Sequence, residues 1–400
     1  MTAPLMTRGL LDVPGAALAD HLLSRGPLPP GDGVALAARA LLTGRGGAAF
    51  PTAEKVRAVA AEVTATGRQA VVVGNGAEGE PAAAKDRLLL QREPHLVFDG
   101  LQLAARAVDA MDVVLAADTG LLAGLAGHLA DRRDERPVRL HATARAFLAG
   151  ERSALVSALD GGPALPRAKE PPLRRRGVAG RPTLVLNVET LARLALLARG
   201  DDGAAWRTLV TRHEERGGSP VAEVLEVASG AWLRDVLALD GGVQAVLVGG
   251  YHGTWVPAAV ARETRLHRDG LAAVDASLGA GVLAALPADR CGLRETVRVV
   301  GHLARESAGQ CGPCLNGLPR IAAALELLAR PGAHPPSLED DVARWCGLVV
   351  GRGACHHPDG SVRLVASALR VFSAELDAHR RGGCTATTDR PFLPVPGDAR

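Results

Sequence analysis

Apolar positions follow two periods along this chain. Between residues 69 and about 200, short apolar runs alternate with segments whose apolar residues recur every three or four positions. QAVVVGNGAEGEP (69–81) predicts a buried strand that ends in a Gly-rich acidic loop. PHLVFDGLQLAARAVDA predicts a helix from about 94 to 110. MDVVLAAD predicts a second strand, LLAGLAGHLADRR a helix, and VRLHATA a third strand. Such alternation implies a mostly parallel α/β sheet. Residues 1–40 read as a lead-in, with a short helix, VALAARALL, at 34–42. Thr52, just after Pro51, is placed to cap a helix running to about 64, with Glu54 in its first turn.

From about 205 to 287 the pattern changes. PVAEVLEVAS, a short helix AWLRDVLAL, VQAVLVGG and TWVPAAV suggest a compact α+β unit. From about 290 to 380 the period is helical: RETVRVVGHLARES, PRIAAALELLAR, LEDDVARWCGLVV and VRLVASALRVFSAELDAH predict about four helices packed as a small bundle. The Gly/Pro-rich tail, 381–400, is expected to be loose and flexible. The expected domains are therefore 1–204, 205–287 and 288–380, followed by that tail.

The 400 residues are 47% apolar, enough for a large core. A formal charge of +3 and 2% aromatic residues argue against a nucleic-acid partner. The N-terminal segment lacks a basic then apolar leader, and charged residues interrupt every apolar run before 18 positions. A cytoplasmic protein without direct membrane insertion is expected, peripheral at most through a membrane partner. Six cysteines in such a chain point to metal binding or inert thiols rather than disulfides. Lys occurs three times (Lys55, Lys85, Lys169) and Asn three times (Asn75, Asn187, Asn316). All six lie in the motif segments below, Asn316 just after Cys314 in ESAGQCGPCLNG (306–317). Random survival explains this less well than sites that would not accept Arg or Asp.

GRGGAAF matches G-x-G-x-x-[GA] at Gly44, Gly46 and Ala49, but follows a helix rather than a strand, so it is a weak dinucleotide fingerprint. Its small residues would let a flat ligand or phosphate approach bare backbone N–H groups; the plain alternative is a helix–helix turn. Lys55, one turn into the next helix, adds a point charge. GNGAEGEP puts Asn75, Glu78 and Glu80 at the carboxyl end of a strand, where open α/β sheets bind ligands. Carboxylates there suit ribose hydroxyls, a flavin edge or a nicotinamide amide; the alternative is an acidic surface turn. RAKEPPLRRRGVAGR (167–181) is a solvated loop or faces dinucleotide phosphates. Cys311, Cys314 and the distant Cys355 are three thiolates that need a fourth donor to hold tetrahedral zinc or an iron–sulfur cluster. Structurally inert cysteines are the alternative.

Taken together, residues 40–375 resemble the NADH-binding flavoprotein subunit of respiratory complex I and the related diaphorase subunits of NAD-linked hydrogenases and formate dehydrogenases. GRGGAAFPTAEK resembles that family's G-R-G-G-A-G-F-P-T-G-x-K, which implies flavin and NADH contacts at Gly44, Arg45, Gly46, Gly47, Phe50 and Lys55. NGAEGEPAAAKDR resembles N-A-D-E-x-E-P-G-x-x-K-D-R, with Asn75, Glu78, Glu80 and Lys85. AGERSAL resembles C-G-E-E-T-A-L, with Gly150 and Glu151. RAKEPPLRRRGVAGRPTLVLNVETL resembles R-x-K-P-P-F-P-x-x-x-G-x-x-G-x-P-T-x-V-N-N-V-E-T-L, with Lys169, Asn187, Glu189 and Thr190. ESAGQCGPC resembles E-S-C-G-x-C-x-P-C, and Cys355 stands where the family has its last cluster cysteine.

The resemblance implies a Rossmann-like FMN-binding domain, a β-grasp domain and a four-helix iron–sulfur domain. It implies an NADH dehydrogenase that passes electrons through FMN to a 4Fe-4S cluster and on to a ferredoxin-like or complex I-like acceptor. Glu80 and Glu151 would serve the reaction directly. Several positions depart from the family. Ala308 replaces a cluster cysteine, Ala77 an Asp, Arg152 a Glu and Leu186 an Asn, while Ala58 and Pro172 replace stacking aromatics. A fourth donor is then sought at Cys346, Cys384, the His356–His357 pair, solvent or a partner, or the cluster is 3Fe-4S. The rival expectation is a degenerate scaffold that keeps a metal site but no longer oxidises NADH.

Overall fold

The computed structural model describes residues 9–30, 33–167, 171–332, 334–335 and 337–397. They form two compact units. One comprises residues up to 79, 84–209 and 226–228; the other comprises 80–83, 210–225 and 229 onward.

The first unit opens with helices α1 (Leu18–Arg25), α2 (Gly33–Arg39) and α3 (Thr52–Thr66). Strand β1 (Val71–Gly76) follows, then α4 (Lys85–Arg92), α5 (Pro94–Ala107), β2 (Asp112–Asp118), α6 (Leu122–Ala130) and β3 (Val138–Thr143). Helix α7 (Arg152–Leu159), strand β4 (Thr183–Asn187) and helix α8 (Val188–Ala198) complete it. The four strands are parallel, in the order β3-β2-β1-β4. This is the predicted α/β sheet. Val71, Val73, Val114 and Val185 form one face with Leu155 and Val156 of α7. Gly74 points to the other face, where an added Cβ would meet Leu101 of α5 and Leu191 of α8. The sheet thus lies between helical layers, and its apolar runs read as continuous because both faces are covered.

Helices α1 and α4 were not anticipated. In α4 the charged Lys85 and Asp86 are buried as a pair 2.7 Å apart. Thr52 is not the cap of α3. Pro51 takes the cap position, and the Thr52 hydroxyl is buried with no hydrogen-bond partner among the described residues.

In the second part of the chain, β5 (Arg207–Arg216), β6 (Ser219–Ala228), α9 (Leu233–Val236), β7 (Val243–Val248) and β8 (Thr254–Pro257) come first. Helices α10 (Ala258–Arg262) and α11 (Arg268–Ala272) and strand β9 (Val282–Pro287) follow. The sheet order is β6-β5-β9-β7-β8, mixed in direction: β9 runs parallel to β5 and antiparallel to β7. Five helices come next: α12 (Gly292–Arg305), α13 (Leu318–Leu328), α14 (Leu338–Val349), α15 (His357–Val371) and α16 (Ser373–Arg380). The last predicted helix is thus two, separated at Phe372, whose ring packs edge-on against Trp255 at 5.3 Å. Trp255 joins sheet to helices: its backbone N–H donates to Ser367 and its indole N–H to Thr296, each at 3.0 Å.

The tail is packed rather than loose. Phe392, Leu393 and Val395 are buried, and the Glu295 carboxylate accepts the amides of Phe392 and Leu393 at 3.0 and 3.1 Å. Pairing of polar groups, not apolar content alone, holds this segment down.

Two substitutions test the packing. A Cβ on Gly100 in α5 would lie 2.1 Å from the Leu191 carbonyl oxygen of α8. Gly100→Ala should force these helices apart and lower stability by about 1–3 kcal/mol in chemical denaturation. Ala49 has φ +46°, a left-handed conformation that disfavours side chains. Ala49→Gly should leave stability unchanged or raise it by up to about 1 kcal/mol, against the usual loss of similar size for Ala→Gly.

Candidate functional site

Parallel strands bring their carboxyl ends together, and here they bring the predicted residues together too. Asn75 at the end of β1 is in register with Asn187 at the end of β4. Asn75 donates from its amide to the Gly150 carbonyl at 2.9 Å and accepts the Ala77 amide at 3.1 Å. Asn187 caps α8 by accepting the Glu189 amide at 3.0 Å, and donates to Asp86 at 2.7 Å. Neither role could be filled by a side chain that only accepts or only donates.

Glu78 accepts the amides of Asp86 and Arg87 at 3.0 and 3.2 Å, at the start of α4. Burial, then the neighbouring Asp86 carboxylate, push its carboxyl up to about 6. Glu151 caps α7 through the amides of Ser153 and Ala154 at 2.8 and 3.0 Å. Glu80 belongs with the second compact unit, where both its oxygens accept the Tyr251 amide, at 3.1 and 3.2 Å.

The GRGG loop joins the same neighbourhood as the two asparagines. A Cβ on Gly46 would lie 3.4 Å from the Cβ of Asn187, and Gly47 has φ +95°. The backbone N–H of Arg45 donates to Thr190 at 2.9 Å, while its guanidinium donates to the carbonyls of Ala205 and Arg207 at 2.6 and 3.1 Å. Arg45 therefore anchors the loop by its side chain. The ring of Phe50 is half exposed. Glycine backbones, an exposed ring and two carboxyl strand ends make a place for a flat ligand.

Charge balance points to an anion. The Lys55 ammonium donates to the Val185 carbonyl. Burial, then the nearby Arg152, pull its pKa down to about 7. Among the described residues, neither Lys55 nor Arg152 forms an ion pair. A half-buried ammonium facing a second cation is electrostatically incomplete, and an anionic ligand would complete it. Flavin phosphate or dinucleotide phosphate fits this donor set. The sequence alone marked Lys55 but did not show that Arg152 reaches it. Lys169 lies outside the described residues.

The second candidate site is built on thiols. Cys311 and Cys314 flank the start of a π-helical turn, Pro313–Gly317, that leads into α13. Such turns break the ordinary helical ladder and are frequent at functional sites. Cys355 lies just before α15. Cys314 and Cys355 are buried, Cys311 is half-buried, and none is in a disulfide. Burial disfavours the Cys311 thiolate, but hydrogen bonds from the Ala354 and Cys314 amides outweigh it and hold the pKa below the usual thiol value. Burial, then the neighbouring Cys311 and Cys355, push the Cys314 thiol up to about 11, which places the three sulfurs near one another. Soft thiolates with N–H···S bonds suit an iron–sulfur cluster. Ala308, where the resemblance called for a cysteine, supplies no donor.

Two of the anticipated fourth donors are engaged elsewhere. His357 donates from Nε2 to the Leu303 carbonyl at 2.8 Å, and its Nδ1 faces His252 at 3.0 Å. Cys384 groups with Cys291, Glu375 and His379. Cys346 lies buried on α14, and His356 is largely exposed.

Comparison with known proteins matches two regions of the chain. Residues 37–196 match the Nuo51 FMN-binding domain, and residues 295–379 match the NADH-ubiquinone oxidoreductase-F iron-sulfur binding region. Together these regions take in more than half of the chain. One of the NADH-quinone oxidoreductase F subunits of Rhizobium meliloti (strain 1021), designated F 2, is 28% identical over 391 residues, covering 88% of this chain and 90% of the relative. The NADH-quinone oxidoreductase F subunit of Escherichia coli (strain K12) is 28% identical over 373 residues, covering 84% and 82%. The crystal structure of an NAD+-reducing [NiFe]-hydrogenase in the H2-reduced state superposes with a TM-score of 0.77 at 28% identity. That match covers 94% of this chain but 66% of the hydrogenase chain. In fold, in the order of its two matched regions and in its motifs, the chain belongs to the family of NADH-quinone oxidoreductase F-type flavoprotein subunits.

Proposed function

We propose that this protein oxidises NADH and delivers the electrons, through FMN and an iron–sulfur centre, to a partner protein. The half-buried Lys55 ammonium, with Arg152 nearby and the glycine loop Gly44–Gly47 in the same compact unit, carries this reading, because together they make a cationic site suited to an anionic, flat ligand. FMN, when bound, takes two electrons as hydride from NADH and releases them singly. The chain's residues hold and orient. Gly44, Gly46 and Gly47 admit the ring system, Lys55 meets an anionic group, and Phe50 offers a stacking face. Asn75, Asn187 and Gly150 keep the strand ends in register beneath it. Glu80 would orient the nicotinamide end, and Glu151 and Lys169 would line the flavin side. Arg152, in place of an acid, makes the site more cationic and favours reduced, anionic flavin.

Cys311, Cys314 and Cys355 would hold the cluster, with the fourth position of a 4Fe-4S centre taken by solvent or a partner, or left out in a 3Fe-4S centre. Residues 205–287 are read as a β-grasp domain and 288–380 as the helical cluster domain. The acceptor is a ferredoxin-like or complex I-like subunit. Among the described residues no helix is long and apolar enough to cross a membrane. A cytoplasmic, peripheral location is proposed.

A second reading, a scaffold that no longer oxidises NADH, is motivated by Ala58, Pro172 and Ala308. Steady-state NADH:ferricyanide reduction separates the two. Turnover that falls at least tenfold in Glu80→Ala supports the enzyme; no turnover in reconstituted wild type supports the scaffold.

Flavin binding should also depend on pH. An anion binds best to protonated Lys55, whose pKa in the ligand-free protein is about 7. FMN affinity should therefore weaken as pH rises above that value, where the phosphate, ionising near about 6, is already a dianion. Lys55→Met should bind FMN roughly 10- to 100-fold more weakly below that pH and lose the dependence. Fluorescence quenching of FMN reads both. Equal affinity in Lys55→Met would place the flavin elsewhere.

A further inference from the structure

Cys291, Glu375, His379 and Cys384 converge in a group that includes none of the proposed cluster cysteines. Each offers one ligand atom, and the four atoms lie within 4.8 Å of one another; the first three residues are buried and Cys384 is half-buried. We propose that these four residues bind a single zinc ion, a structural site distinct from the iron–sulfur centre.

Local structure explains how they meet. Glu375 and His379 are four apart on α16, so both project from one face of the helix. Their atoms Oε1 and Nε2 are 2.8 Å apart. After α16 the chain turns at Gly382, whose φ is +83°, and brings Cys384 back toward that face. Cys291, 88 residues before His379, is the residue capping α12, and its Sγ accepts the Arg294 amide at 3.4 Å. His379 Nε2 lies 3.6 Å from Cys291 Sγ. Tetrahedral zinc, with ligands at about 2.0–2.3 Å, puts donor atoms at about that spacing.

The surroundings of His379 are those of a metal ligand. Its ring is fully buried, and Nδ1 donates to the Leu328 carbonyl at 3.1 Å. That bond orients the ring and turns Nε2 toward the other three ligand atoms. Glu375 accepts the Thr385 amide at 3.0 Å and the Thr385 hydroxyl, which orients its carboxylate. Two sulfurs, one imidazole and one carboxylate select zinc over calcium or magnesium. Donors this close surround one ion rather than a multi-iron cluster. The ion would tie the start of α12 to α16 and to the segment leading into the packed tail.

Elemental analysis of the full-length protein tests this. Zinc and iron are quantified in wild type, Cys291→Ser, His379→Gln and Cys314→Ser. Wild type should carry about one zinc per chain. Cys314→Ser should lose iron and keep zinc; Cys291→Ser and His379→Gln should lose zinc and keep iron. Zinc retained in both of those variants, or wild type with almost none after growth in zinc-supplemented medium, would overturn the assignment. Should the zinc-site variants not fold, cobalt incorporated into Cys314→Ser gives the answer. Tetrahedral d–d bands with a thiolate charge-transfer band support the site, and octahedral cobalt without that band refutes it.

Discussion

A single carboxylate with no exposure to solvent organises the flavin-side unit. Glu189 accepts from Lys85 and from Arg193, each at 3.2 Å, and from the Leu209 amide at 2.8 Å. Burial alone would neutralise it. Lys85, Arg193 and Arg45 outweigh that effect and keep its pKa below the usual carboxylate value. Lys85 in turn pairs with Asp86, and Asp86 accepts from Asn187. One network thus links α4 and α8 with the end of β4, and through Thr190 it reaches the GRGG loop. Removing one partner from such a network strands a buried charge, at a cost of about 3–5 kcal/mol. The ligand site is precise because its supports are charged and dry.

The parallel sheet, the helical last third and the segments that make up the two candidate sites were legible in the sequence. Apolar period gave the elements, and the rarity of Lys and Asn marked positions that need their chemistry. Lys85 and Asn187 justify that inference, since each makes contacts that an Arg or an Asp would not reproduce. Helix α4 was missed because its 8 residues are too few to show a clear helical period. The packed tail was missed because the Glu295 carboxylate that holds it lies about a hundred residues away. The Cys291 group escaped for the same reason: only two of its four members are close in sequence at helical spacing, and Cys384 was read as a spare cluster ligand.

Departures from the family pattern have unequal physical weight. Ala49 keeps the left-handed turn that glycine would adopt more easily, so the loop's shape survives. Ala58 and Pro172 remove stacking area without disturbing the buried network. Arg152 changes the sign of a charge beside Lys55, which alters what the site prefers to bind rather than whether it forms. Ala308 removes a ligand outright, and Cys384 and His357, engaged elsewhere, do not replace it. The chain keeps the framework of a flavin and cluster relay while changing its charge and its ligand set.

The most direct measurement is an anaerobic NADH titration followed by visible absorption and electron paramagnetic resonance, with FMN and iron quantified beforehand. A working relay predicts stoichiometric FMN, bleaching of the flavin by NADH, and a reduced or three-iron cluster signal that is lost in Cys314→Ser. Flavin that bleaches while no cluster signal appears, or protein that holds neither FMN nor iron after reconstitution, would contradict it.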